Sequence, residues 1–183
     1  MFKEKLQNII KENETILAQV NAEEVDRLIK MIISSKRLFL DGRGRSGLMM
    51  AAFAVRLTHL GIDCHVVGEY TTPSLRADDL LIVGSGSGAT ITPLAAAKMA
   101  KKVGGKVAAI TARPGSELAE IADVSVIIPA PVRGSSESVM TIQPMASLFE
   151  QSLLLLVDTM VLMLKEELGL DDEAMRSLHS NLE

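Results

Sequence analysis

Leu80-Leu81-Ile82-Val83-Gly84-Ser85-Gly86-Ser87-Gly88-Ala89-Thr90 decides how this chain is read. A short apolar run ends in three alternating glycines, three hydroxyl side chains stand among them, and helix-like sequence follows over 91–103. Glycine lets a backbone turn sharply and come close to a ligand. A helix start offers unpaired N–H groups and a positive dipole end to an anion. Ser85, Ser87 and Thr90 add hydroxyl donors around Gly88, and no Lys or Arg lies within the loop. The stretch reads as a strand, a phosphate cradle of neutral donors, and a helix. An ordinary Gly/Ser turn is the plainer alternative.

Outward from this loop, strand-like and helix-like segments alternate. Residues 2–20 carry Leu6, Ile9, Ile10, Ile16, Leu17 and Val20 near helical spacing. Asn21 sits three residues before Glu24, an N-cap with a box-like partner, and opens a helix to about Ser35. Residues 37–41 read as a strand, 42–47 as a glycine turn, and a helix follows through Leu60. Strands are expected at 63–67, 79–83, 106–111 and 124–128, with loops at 68–78 and 129–143. Ser116 caps a short helix, Pro144 fits the first position of a long one, and Asp171 opens a last short one. Such alternation means a parallel sheet with right-handed crossovers and helices on both faces, a three-layer α/β/α fold. One domain is expected over 1–183, with N-terminal helices in 1–35, the sheet core in 36–130, and the long helix and tail in 144–183. Ligands in such sheets bind beyond the carboxyl ends of the strands, where the turns 42–47 and 84–90 should both lie.

The chain has 183 residues, 48% hydrophobic and only 3% aromatic, so its core is aliphatic. A net charge of −4 without a Lys/Arg stripe argues against nucleic acid as a partner. Cys64 is the only cysteine, which excludes an intrachain disulfide and a cysteine metal cluster, and His59, His65 and His179 show no ligand spacing. No metal or cofactor is expected. The first residues carry both charge signs and no apolar signal core, so a cytoplasmic protein is expected. Residues 145–165 are apolar, but Glu150 and Asp158 interrupt them, and a membrane span is not expected. A helix apolar on nearly every side is buried in a core or between subunits, and a domain this small points to a homo-oligomer.

Gly42-Arg43-Gly44-Arg45-Ser46-Gly47 matches the dinucleotide pattern after a strand, with Glu69 about twenty residues on. A nicotinamide-dependent oxidoreductase is therefore a rival reading. Two hydroxyl-bearing turns on neighbouring strands suit a small phosphorylated ligand better. Arg45 and Ser46 could contact that ligand, with Gly47 closing the turn; equally, the arginines could be solvated surface and Ser46 a cap.

Together the two turns resemble the sugar isomerase (SIS) family, whose domains bind sugar phosphates on a five-stranded parallel sheet. Arg56-Leu57-Thr58-His59-Leu60-Gly61, Val67-Gly68-Glu69, Thr71-Thr72-Pro73, Gln143-Pro144-Met145 and Phe149-Glu150-Gln151 resemble its 6-phospho-3-hexuloisomerase branch. So does the tail Arg176-Ser177-Leu178-His179-Ser180-Asn181-Leu182-Glu183. Val83-Gly84 and Ala89-Thr90 stand where that branch has Ile-Ser and Glu-Thr. The resemblance implies interconversion of D-arabino-3-hexulose 6-phosphate and fructose 6-phosphate without a cofactor, in a tetramer. It implies work after a hexulose-phosphate synthase, in formaldehyde fixation through ribulose monophosphate. SIS domains also serve as sugar-phosphate sensors, a non-catalytic alternative that turnover would exclude.

Moving a carbonyl from C3 to C2 requires a base, donors for an enediolate, and a phosphate anchor. Glu150, early in the long apolar helix, is the candidate base; a surface or interfacial carboxylate is the plainer reading. His179 could open the sugar ring or shuttle a proton, although a histidine so near a C-terminus is ordinarily surface. Asp158, two turns deeper, is expected at an interface.

Overall fold

Five apolar runs pair into one parallel sheet in this computed structural model, which describes residues 1–132 and 141–182. The strands are β1 (Leu38–Gly42), β2 (Cys64–Val66), β3 (Leu80–Gly84), β4 (Lys106–Thr111) and β5 (Val124–Ile127), in the order β2-β1-β3-β4-β5. Every residue of β1 and β3 is buried, as befits central parallel strands covered on both faces. On one face, Leu38, Leu40, Leu80, Ile82 and Ile110 pack under α2 (Ala22–Ser34), α3 (Gly44–His59) and α6 (Ser147–Glu167). On the other, Phe39, Leu81, Val83, Val107 and Ala109 pack under α4 (Ile91–Lys102) and α5 (Glu117–Ile121). This is the three-layer α/β/α arrangement expected.

The strand order reverses between β1 and β3, whose last residues, Gly42 and Gly84, are register partners. The two glycine turns therefore leave the sheet side by side at the switch point, where crevices open in this topology. The outer helix α1 (Phe2–Leu17) crosses α6, and α7 (Asp172–Ser177) lies against α3.

Several local expectations change. The long helix begins at Ser147 rather than Pro144, because Met145 adopts a left-handed φ of 57° that no helix continues. Asn21 caps α2 by accepting the Glu23 N–H at 2.9 Å, while Glu24 turns to Arg27 at 3.0 Å, so no capping box forms. The first glycine turn is shorter than read: α3 begins at Gly44, which makes Arg45, Ser46 and Gly47 first-turn helix residues. The loop expected over 129–143 falls partly outside the described residues, as does Glu183. By length and composition alone α6 is apolar enough to cross a membrane, contrary to the sequence reading. Its Phe149, Leu153, Val157, Met160 and Leu164 are nevertheless buried in the core of this fold.

Candidate active site

Close backbone approach builds the site. A Cβ on Gly47 would lie 2.7 Å from the Gly42 carbonyl oxygen, so the first turn of α3 rests directly on the end of β1. In the second turn Gly88 has φ +61°, and a Cβ there would meet Ser116 Oγ at 2.1 Å. The loop is thereby pressed onto the β4–α5 connection. The Gly86 oxygen accepts from the Ala112 N–H at 3.1 Å and from the Thr111 hydroxyl at 3.3 Å; the Gly88 oxygen accepts from the Leu118 N–H at 3.2 Å.

What this rigid loop offers a ligand follows from counting hydrogens. Ser85, buried, and Thr90 share one hydrogen bond of 3.0 Å between their hydroxyls, which uses one of the two hydroxyl hydrogens. Ser87 Oγ accepts from the Ala89 N–H at 3.3 Å and keeps its own hydrogen. Thr90 is the N-cap of α4 without a side-chain capping bond, and first-turn amides have no partner within a helix. Two hydroxyl hydrogens and a helix N-terminus thus stand within one six-residue loop, a suitable seat for a phosphate.

The start of α6 closes the other side. A Cβ on Gly86 would meet Val132 at 2.8 Å and Phe149 at 3.1 Å, and one on Gly84 would meet Met50 at 2.7 Å and Leu153 at 3.2 Å. Glu150 lies on the same turn of α6, its side chain only 14% exposed, and its Oε2 accepts a short hydrogen bond from Arg45 Nε. Among the described groups none bonds Oε1. The segment leading into α6 is held from α1. Glu12 accepts from the Ile142 N–H at 2.9 Å, the Thr141 hydroxyl at 2.7 Å and Gln143 Nε2 at 2.9 Å. Burial raises the Glu12 pKa, but those three donors outweigh it and hold the carboxyl below its ordinary value.

Arg45, Ser46, Gly47, Ser85, Ser87, Gly88, Thr90 and Glu150 are thus gathered around the carboxyl ends of β1 and β3. His179 is not. Its ring stacks on His59, with centroids 4.9 Å apart, at the last residue of α3. The glycine turns lie at the opposite end of that helix, about 22 Å away at 1.5 Å per residue. Asp158 is exposed on α6.

Sequence reasoning missed two cations at this edge. Arg43 crosses from the first turn to the second, its Nε donating to Thr92 Oγ1 at 2.9 Å and its Nη1 to Asp41 Oδ1 at 2.5 Å. Arg113, just beyond β4, has a buried Nη2 with no hydrogen-bond partner among the described residues. Arg43 stood in the first turn as a candidate for solvated surface and Arg113 in neither turn; the Thr92 contact that turns Arg43 toward the second turn depends on strand order. Glu69, the acid expected for a dinucleotide ribose, is exposed beyond β2.

The sequence pattern of the SIS domain matches residues 31–155, a span that holds both glycine turns and Glu150. The chain belongs to the SIS domain family. A 3-hexulose-6-phosphate isomerase of Bacillus subtilis is 47% identical over 176 residues, covering 96% of this chain and 95% of its own length. One solved structure, of a hypothetical protein, superposes with a TM-score of 0.91 at 30% identity, over 99% of this chain and 97% of that one. A Methanococcus jannaschii protein, whose crystal structure infers a 3-hexulose-6-phosphate isomerase function, superposes with a TM-score of 0.85 at 34% identity, over 98% and 99%. SIS membership does not favour the nicotinamide reading of the first glycine turn.

Proposed function

We propose that this chain interconverts 3-hexulose 6-phosphate and fructose 6-phosphate. The observation that carries the reading is the position of Glu150, a carboxylate with one oxygen unbonded among the described groups, beside the glycine-turn cradle, in a chain akin to 3-hexulose-6-phosphate isomerases. With the phosphate on Ser87, Thr90 and the start of α4, the sugar extends toward α6. Glu150 Oε1 takes the C2 proton, and the electron pair forms the C2–C3 double bond while the C3 carbonyl oxygen becomes an enediolate. The Arg45 guanidinium stands beside that developing charge. Proton transfer from the O2 hydroxyl to O3 and protonation of C3 then leave the carbonyl at C2. None of these steps calls for a redox or metal cofactor.

The reading extends to assembly and location. Leu48 and Val55 are exposed seven residues apart on α3, and Leu155 and Leu162 seven apart on the neighbouring α6. Such spacing sets each pair on one helix face, an apolar patch suited to a second copy. We take the assembly to be a tetramer, in which His179 serves a neighbour's site as proton shuttle or ring opener. A cytoplasmic enzyme acting after hexulose-phosphate synthase in ribulose monophosphate metabolism fits this chemistry. The test is a coupled assay with ribulose 5-phosphate, formaldehyde and a synthase. Fructose 6-phosphate should accumulate with no added nicotinamide and with the isomerase step indifferent to chelator. Hexulose phosphate accumulating instead, in the presence of folded chain, would reject the proposal.

A further inference from the structure

We propose that Arg43, clamped by the buried Asp41, is the cationic contact for the phosphate of the ligand; the inference rests on the sugar-phosphate reading of the site. The loop 84–90 is neutral, while a phosphate monoester arrives with close to two negative charges. A guanidinium from the other glycine turn reaches the helix that follows this loop and can match them. Arg43 has extended backbone angles (φ −133°, ψ 155°) as the N-cap of α3. Its side chain crosses toward α4, where Nε donates to Thr92 Oγ1 at 2.9 Å and Nη1 to the Gly42 oxygen at 2.8 Å. Thr92 lies in the first turn of α4, directly after the cradle. Nη2 makes no bond to any described group. Among the described residues the guanidinium is thus fixed at two of its nitrogens and unbonded at the third, which is what a preorganised anion donor requires.

Asp41 explains how it is held. Strand alternation sets Asp41 on the face of β1 shared by Phe39 and the neighbouring Leu81 and Val83. Its side chain has no exposed surface. Oδ1 accepts from the Gly42 N–H at 2.7 Å and from Arg43 Nη1 at 2.5 Å, while Oδ2 is buried with no hydrogen-bond partner among the described residues. A carboxylate in an apolar layer with an oxygen left unbonded is costly to the fold. Besides holding the Gly42 N–H, it fixes Arg43 at the mouth of the cleft. Asp41 is accordingly a positioning residue, acting through Arg43.

The experiment reads binding rather than turnover, by calorimetric titration with inorganic phosphate and with fructose 6-phosphate. Arg43→Gln alone would strand the buried carboxylate and risks unfolding. The decisive variant is therefore Asp41→Ala/Arg43→Gln, with melting temperature measured alongside. Both probes should bind at least about tenfold more weakly to the double variant. In the coupled assay KM should rise in step while kcat changes little. Arg43→Lys, which keeps the charge but loses the fork, should fall between. A folded double variant that binds both probes within twofold of the unmodified protein would overturn the proposal alone. Unmodified protein that bound neither probe would overturn it together with the sugar-phosphate reading. Binding that depends on Arg43 in a chain without turnover would support the proposal while rejecting the isomerase.

Discussion

Glu150 and the loop hydroxyls divide the labour at the residue scale, and single substitutions separate them. Glu150→Gln keeps the size and the Arg45 contact but removes the base. Turnover should fall at least about 10²-fold with product binding unchanged in titration; near-normal turnover would place the base elsewhere. Ser87→Ala and Thr90→Val should each weaken fructose 6-phosphate binding by roughly 1–3 kcal/mol, the loss of a hydrogen bond to a charged group. Their effects on stability should differ. Thr90→Val leaves the buried Ser85 hydroxyl without its partner, so its melting temperature should drop. Ser87→Ala removes only an acceptor for the Ala89 N–H and should melt almost normally. Equal turnover of the unphosphorylated hexulose would show that the loop anchors nothing.

At the scale of elements, the glycine turns announced themselves in the sequence because close approach leaves a compositional mark. Gly47 and Gly88 have no room for a side chain and Gly42 and Gly84 little, and the alternation of apolar runs set them at one edge of a parallel sheet. The start of α6 carried no such mark. Pro144 is a common first helical residue, yet the left-handed Met145 delays the helix to Ser147. The lead into the helix is also held at long range: Glu12, some 130 residues earlier, grips residues 141–143 from α1. Arg43 and Asp41 were illegible for a similar reason, since the partner on Thr92 depends on strand order. The grip of Glu12 predicts its own signature. Glu12→Ala should release the lead into α6, lower kcat by displacing Glu150, and cost about 1–3 kcal/mol in denaturant titration. Because the folded-state value for Glu12 lies below the ordinary one, this stabilisation is fully present above the ordinary glutamate range. It fades as pH falls through the lowered value. Unmodified protein and Glu12→Ala should therefore converge in stability in acid, and a gap unchanged down to pH 2 would contradict the grip.

For the whole molecule, the tail poses the sharpest question. His179 and Leu178 dock at the end of α3 remote from the cleft, Leu178 lying 3.5 Å from where a Cβ of Gly61 would stand. Ending the chain at Ser177 removes that contact and leaves sheet, cleft and α6 untouched. The truncated chain should fold, assemble and bind fructose 6-phosphate but isomerise poorly, with His179→Ala reproducing much of the defect. Mixing it with an inactive Glu150→Gln chain should restore part of the activity if the tail serves a neighbour's site. Full activity of the truncated chain would return His179 to the surface.

The bond from Ser152 to Asn13 spans 139 residues, and that span has a meaning in time. On the ribosome α1 emerges well before the helix it packs against. At about 5–20 residues per second, α1 waits roughly 7–28 s with Asn13 and Ile16, buried in the finished fold, still uncovered. During that interval the nascent chain presents an amphipathic helix to whatever binds such surfaces, and its half-made sheet lacks the helix that seals one face. Safe passage through synthesis depends on what shields α1 until α6 arrives.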